Sequence, residues 1–415
     1  MMGFRKHGFS HRFAHLLASL VYVCTLSGCS LLLPSKTSSG LNGLATPDRP
    51  IHSSNVTASS PAVSSTNASS PPASAPIEVT QRNMIAILPL NSSTFKEVAN
   101  AVRAGIQAGA ERASTPELRW QVQFIQTDDN AQESADAFAN AQTSRVAAVI
   151  GPLTRNSVNA ALNVSIARPT ILLNLPPPDV IMQGPVLAFS LALEAQARFL
   201  ADAAWLEAAP RLAAFSQGQL RKPRALILQN RTSATQTLSR RTANGFAQQF
   251  VLKGGEVEFL EVSLTTAARL PEQLKPGSID TIFMALEAPL ARAVRPFLPR
   301  DLPVWGTSEL NTGRITEMNE LEGLHFADMP WLLRPDDLAV MAYPRPELTE
   351  ENMRWYAFGI DAFRLALELS AGKQNVELDG LTGRLRANAT HKGIVERIPI
   401  LASIKNGKAV ADPGQ

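Results

Sequence analysis

From Asn83 onward, apolar runs of strand length alternate with stretches whose apolar residues return every three to four positions, and no other feature constrains the fold as tightly. Met84–Leu90 (MIAILPL) reads as a buried strand. Thr94 with Glu97 three residues later predicts a capping box, opening a helix with Val98, Val102 and Ile106 on one face. Trp120–Gln126 alternates as a strand, Asn130 with Glu133 marks a second helix start, and Val146–Ile150 is a third strand. A helix near Thr154 leads to RPTILLN, a fourth. The pattern then restarts. Glu194–Ala209 predicts a helix, Ala225–Gln229 a strand, Thr235–Lys253 a helix closed by Gly254 and Gly255, and Val257–Val262 and Asp280–Leu286 two further strands. Late in the chain Thr349 opens a helix with Met353, Tyr356, Ile360, Phe363 and Leu367 on one face, ending at Gly372. Strands and helices in this order require parallel sheets covered on both faces, so the expected class is α/β, with two successive open lobes. In such sheets ligands sit beyond the carboxyl ends of the strands.

The amino terminus follows different rules. Arg5, Lys6 and Arg12 precede an apolar stretch, Leu16–Leu26, of about 11 residues, short of the ~20 a spanning helix needs, and small residues follow. This is the layout of an export signal. Both cysteines lie here, Cys24 and Cys29. Leu26-Ser27-Gly28-Cys29 resembles the lipobox of bacterial lipoproteins, which implies cleavage before Cys29 and acylation of its thiol, palmitate included. Cleavage would discard Cys24 and leave the globular chain without a free thiol, removing disulfides, thiolate zinc sites and cysteine nucleophiles. Ser30 after the lipidated cysteine favours, by resemblance to enterobacterial sorting, the periplasmic face of the outer membrane. Residues 1–28 are thus expected to be the signal peptide. Residues 29–82 carry the lipid and a Ser/Pro/Thr/Ala-rich tether that cannot bury enough surface to order itself. A coil of that length reaches on the order of 40 Å, or up to about 160 Å if held extended.

Without Arg5, Lys6 and Arg12 the remaining chain carries 36 basic and 36 acidic residues, so it is formally neutral. No basic stripe interleaved with aromatics exists, and nucleic acid is not an expected partner. No HExxH, GxSxG or GxxxxGK[ST] occurs, and His325 and His391, far apart in sequence, are the histidines of the folded region. No metal, cofactor or catalytic function is expected. Asp128 and Asp129 are adjacent on an extended segment, so their side chains point to opposite faces and suit a loop or capping role better than a shared substrate.

Together IAILPL, AVRAGIQAGA, AVIGPLTRNSVNAAL, PTILLNLP, VWGTSEL, YAFGIDAFRLALEL and LDGLTGRL resemble the type I periplasmic-binding-protein fold of branched-chain amino acid receptors. More narrowly they resemble the C-terminal domain of the penicillin-binding-protein activator lipoproteins, the LpoA/LppC family. The resemblance covers about residues 83–408 and implies two Rossmann-like lobes joined by three crossovers. Lobe one would combine about 83–190 with 305–391, and lobe two 191–304 with 392–408. It also implies an outer-membrane-anchored regulator that binds and activates a class A penicillin-binding protein, a peptidoglycan synthase, and is not itself an enzyme. The better-known members of that family carry a large helical-repeat domain ahead of this module, where this sequence has the tether.

The alternative the fold implies is a substrate-binding lipoprotein of a branched-chain amino acid ABC importer. Receptors of that type hold the ligand with hydroxyls and backbone N–H groups at helix N-termini, which places Thr154, Asn156, Ser157 and Asn174 as candidates in lobe one. Glu287 in lobe two would meet an ammonium group. Against this, Leu175-Pro176-Pro177-Pro178 stands where small hydroxyl residues would be expected, and proline offers no N–H. A separate cluster of aromatics and arginines, Trp331, Arg334, Tyr343, Arg345 and Trp355, has the composition of a partner surface.

Overall fold

The computed structural model describes residues 79–413 apart from 129, 216–220, 232–234 and 276; the expected signal peptide, Cys29 and nearly all of the tether lie outside the described residues, as does Asp129. The first lobe begins with β1 (Thr80–Leu88), so Thr80–Arg82, expected at the end of the tether, already belong to a strand. Then come α1 (Lys96–Ala113), β2 (Leu118–Gln126), α2 (Ala131–Thr143), β3 (Ala148–Ile150), α3 (Arg155–Ala161), β4 (Thr170–Leu172) and β5 (Val186–Ala188). They form a parallel sheet in the order β2-β1-β3-β4-β5, the doubly wound order that brings β1 and β3 together at its centre. Asn130 caps α2 through bonds from the Gln132 and Glu133 amides. The expected box at Thr94 does not form: Ser92 Oγ accepts from the Thr94 and Phe95 amides instead, and α1 starts at Lys96.

The second lobe repeats the plan. It contains α4 (Leu193–Phe215), β6 (Arg224–Asn230), α5 (Gln236–Leu252), β7 (Glu256–Val262), α6 (Leu270–Gln273), β8 (Thr281–Ala285), α7 (Ala288–Val294), β9 (Val304–Gly306), α8 (Ile315–Asn319) and β10 (Leu324–Asp328). Their sheet runs β7-β6-β8-β9-β10, again parallel and in the same winding order.

After β10 the chain returns to the first lobe through α9 (Pro330–Leu333), α10 (Leu338–Met341) and α11 (Glu350–Ser370). An antiparallel sheet follows, of β11 (Asn375–Asp379), β12 (Arg384–Asn388) and β13 (Glu396–Ile398). The chain then adds β14 (Ile400–Lys405) and β15 (Lys408–Ala411), antiparallel, to the second lobe's sheet beside β10. Two expected boundaries therefore shift. The expected boundary puts Trp305 in lobe one, but β9 and β10 pair in register with β8 and β14, so the second crossing follows Asp328. The third follows Ile398, since Val376, Leu385 and Val395 pack into the same core as Met84 and Phe363. Three-residue strands such as Val304–Gly306 carry too little periodicity to announce which sheet completes them.

The parallel sheet of each lobe is apolar on both faces. Met84, Ala86 and Leu88 face α1 and α11, whereas Ile85 and Ile87 face α2 and α3. Such double coverage explains why β1 reads as a continuous apolar run. α1 and α11 cross with backbones touching: a Cβ on Gly105 would stand 2.0 Å from the Tyr356 carbonyl oxygen, and one on Gly359 2.2 Å from that of Val102.

Candidate functional site

The carboxyl ends of the parallel strands are where a ligand of this fold would lie, and three of the four lobe-one candidates there, Thr154, Ser157 and Asn174, bond to the protein itself. Thr154 caps α3: its Oγ1 accepts from the Ser157 amide at 3.2 Å and donates to Ser157 Oγ at 2.8 Å. Ser157, buried, donates onward to Ser134 Oγ at 3.1 Å. Asn174 donates to the Leu153 carbonyl oxygen at 3.1 Å and accepts from the Leu175 amide at 3.0 Å. Hydroxyls and amide are thereby spent on holding the β3–α3 and β4 turns, while Asn156 is exposed. In lobe two Glu287 opens α7, half-buried, with Asn230 Nδ2 at 3.4 Å. Asp128 serves its loop, Oδ1 accepting from the Asn130 amide.

Where the lobes join, the structure assembles a polar girdle that the sequence reading missed. Asp328, at the end of β10 and almost wholly buried, receives Arg354 of α11 in two bonds, Nε to Oδ1 at 3.1 Å and Nη2 to Oδ2 at 2.5 Å. Arg354 Nη2 also donates to the Ser308 and Asn311 carbonyl oxygens, both at 3.0 Å. Asn311 Nδ2 donates to Asp328 Oδ2 at 2.9 Å. Gln196 on α4 closes the ring, donating to the Ala327 carbonyl oxygen and accepting from the Ser308 amide, each at 2.9 Å. Burial opposes the charge on Arg354, but the Asp328 carboxylate outweighs it and holds the guanidinium above its ordinary pKa.

Two turns further along α11, Asp361 is fully buried. It accepts from the Leu381 amide at 3.0 Å, from the Thr382 amide at 2.8 Å, from Thr382 Oγ1 at 2.7 Å and from Arg364 at 3.0 Å. Arg397, beside the third crossing, donates to the Thr382 carbonyl oxygen at 3.1 Å; burial pulls its pKa down to about 10 despite the Asp328 and Asp361 charges nearby. Charged residues seven apart on a helix otherwise apolar on that stretch were the signal available in the sequence.

The expected partner surface is rearranged. Trp331 is fully buried, so it is a core residue and not an outward anchor. Its ring lies 5.5 Å from that of Tyr356, its amide donates to the Leu381 carbonyl oxygen, and the Arg345 guanidinium sits 5.1 Å above it. Trp355 is half-buried, edge-on to Phe358 at 5.6 Å. Tyr343 and Arg334 are half-buried, and Arg345 is exposed.

Desolvation, helped by the Glu111 charge, pushes Tyr356 up to about 12, and burial raises Tyr343 as well. A raised phenol favours the folded state while it stays protonated. That contribution is complete below the unfolded value of 10.0 and is lost as pH climbs through about 12. Phenolate absorbance during an alkaline titration should therefore lag behind that of the urea-unfolded chain; coincident curves would contradict the burial.

Among the described residues, no group of three or more His, Cys, Asp or Glu is placed to hold a metal, and no helix is long and apolar enough to cross a membrane. His325 lies against Trp305 at 4.8 Å. An open groove of about 620 Å³ runs over the three-stranded sheet, lined among others by Glu377, Arg386, Asn388 and His391, with none of the cleft candidates in its wall.

With this geometry in place, residues 75–398 match the family model described as "LppC putative lipoprotein". The chain belongs to that family. Among its relatives is a "Penicillin-binding protein activator LpoA" of Photobacterium profundum, 24% identical over 343 residues that cover 74% of this chain and 54% of that protein. The chain spans about half the length, or less, of the curated relatives it matches. Among solved structures, the LpoA (YraM) C-domain of Haemophilus influenzae, described as a regulator of PBP1A, superposes with a TM-score of 0.62. It is 18% identical, covering 80% of this chain and 99% of that one. A structure from Chromobacterium violaceum, described as "a putative branched-chain amino acid ABC transporter", gives 0.61 at 30% identity, covering 78% and 99%. The fold is thus the expected α/β type I periplasmic-binding-protein fold, and the LppC family is the expected one.

Proposed function

We propose that this chain is a periplasmic regulator, held at the outer membrane by an acylated Cys29, that binds and activates a class A penicillin-binding protein. The observation that carries the reading is the family match across residues 75–398, in a family whose named relatives are penicillin-binding-protein activators. The geometry is consistent with it. Thr154, Ser157 and Asn174, which a solute receptor would aim at its ligand, are committed to caps and turns, and no catalytic constellation is needed for activation by contact. The test is glycan polymerisation and crosslinking by the synthase with and without the full chain. A several-fold rise and co-purification are expected; no binding and no rise would refute the role. Cys29→Ala should abolish palmitate labelling and release the protein from the outer-membrane fraction.

A second reading has one specific support, the 30% identity to the Chromobacterium violaceum protein over 99% of that chain. A solute receptor would gain about 2.7 kcal/mol at a ligand concentration a hundredfold above Kd. A branched-chain amino acid that raised the melting temperature accordingly would favour it, and a flat screen would favour the regulator.

A further inference from the structure

We infer that the excursion between β10 and α11 is the surface on which the synthase docks, with Leu338 and Met341 as its anchors. The inference rests on the regulatory function proposed above. Three contacts pin the excursion. Trp331 is bonded to the Leu381 carbonyl oxygen, Arg345 Nη1 donates to the Trp331 carbonyl oxygen at 3.0 Å while its guanidinium stacks on the indole, and Tyr356 Oη donates to the Pro344 carbonyl oxygen at 2.9 Å. On this fixed backbone α10 turns Val340 inward at 3% exposure and presents Leu338 at 86% and Met341 at 64%. Three positions apart on one helical turn, the two side chains form a single apolar knob. Large apolar groups held rigidly in water suit a binding anchor, because little ordering cost remains when a partner covers them, and methionine adapts to the shape of its pocket.

Charge narrows the occupant. Asp336 and Asp337 immediately precede the knob and Glu347 lies near the end of the excursion, all exposed, while the exposed Arg345 is engaged on the Trp331 ring and carbonyl oxygen. The matching surface is therefore an apolar pocket rimmed by Lys or Arg on the periplasmic part of the synthase. A second copy of this chain fits poorly: a two-fold contact centred on the knob would bring Asp336 and Asp337 towards their own equivalents, while Arg345, the exposed cation of the excursion, is already engaged on Trp331. Of the cluster expected as the contact, Trp331 and Arg345 thus work behind the knob, stiffening the turn that carries it.

The test uses the full chain and the purified synthase. A Leu338→Asp/Met341→Asp variant should melt like the native protein, since both positions face solvent, and should bind at least a hundredfold more weakly. Asp336→Lys/Asp337→Lys should slow association and reduce its dependence on salt. If the native chain binds and the first variant binds within twofold of it, the docking surface is wrong and the regulatory role survives. If the native chain does not bind the synthase, the role and the surface fall together. Self-association of the native chain in sedimentation that the variant abolishes, with synthase binding unchanged, would assign the knob to a second copy and overturn the proposal. Should the double substitution unfold the chain, Leu338→Ser alone carries the same comparison.

Discussion

Gly359→Ala is expected to cost about 3 kcal/mol of stability, although alanine is the better helix former by about 1 kcal/mol. The methyl group would stand 2.2 Å from the Val102 carbonyl oxygen and 3.0 Å from the Ile106 amide nitrogen, both backbone atoms of α1, so no flexible side chain can yield. α1 and α11 would have to part. Their contact fills the centre of the first lobe, where Val102, Ile106, Phe358 and Phe363 are fully buried, and interiors packed this tightly do not absorb such a shift cheaply. Gly105→Ala meets the Tyr356 carbonyl oxygen at 2.0 Å and should behave alike. Because either methyl separates the same two helices, the double substitution should cost less than the two losses added together. Urea midpoints at unchanged slope measure this, and a loss below about 1 kcal/mol would show that the helices tolerate separation.

Arg354→Met is expected to cost about 3–5 kcal/mol, because it leaves the Asp328 carboxylate buried without its cation. Methionine preserves much of the side-chain volume, so the loss reports the charge and its bonds. Lysine should rescue little: Arg354 uses a planar fork to reach the Asp328 carboxylate and two carbonyl oxygens at once, whereas an ammonium group is a single point. Adding Asp328→Asn to Arg354→Met should recover much of the loss, since the uncompensated charge is then gone. The girdle joins α11 of the first lobe to β10 and the Ser308–Leu310 turn of the second. Calorimetry should therefore show a single transition for the native chain and two for Arg354→Met. A single transition within about 1 kcal/mol of native would refute the coupling.

Much of the scaffold was legible without coordinates. Thr154, Asn130 and Thr349 cap helices where a hydroxyl or amide precedes an apolar repeat, because the partner amide is two or three residues away. The apolar runs at Met84–Leu88 and Thr281–Ala285 are buried on both faces, and only a covered parallel sheet accommodates them. The motifs at Gly151–Leu153 and Tyr356–Leu365 led to the family. Thr154 and Ser157 were placed correctly at a helix start, but only packing shows Ser157 turned toward Ser134.

Sequence by itself determined the alternation of strands and helices and the apolar stripe of α11, since these follow from propensity and period among near neighbours. Tertiary structure alone decided which sheet receives Val304–Gly306, that Trp331 points inward while Leu338 points out, and that Arg354 finds Asp328 across 26 residues of chain. Those outcomes depend on what arrives to cover a surface or neutralise a charge, and the arriving groups come from distant segments that no local pattern encodes.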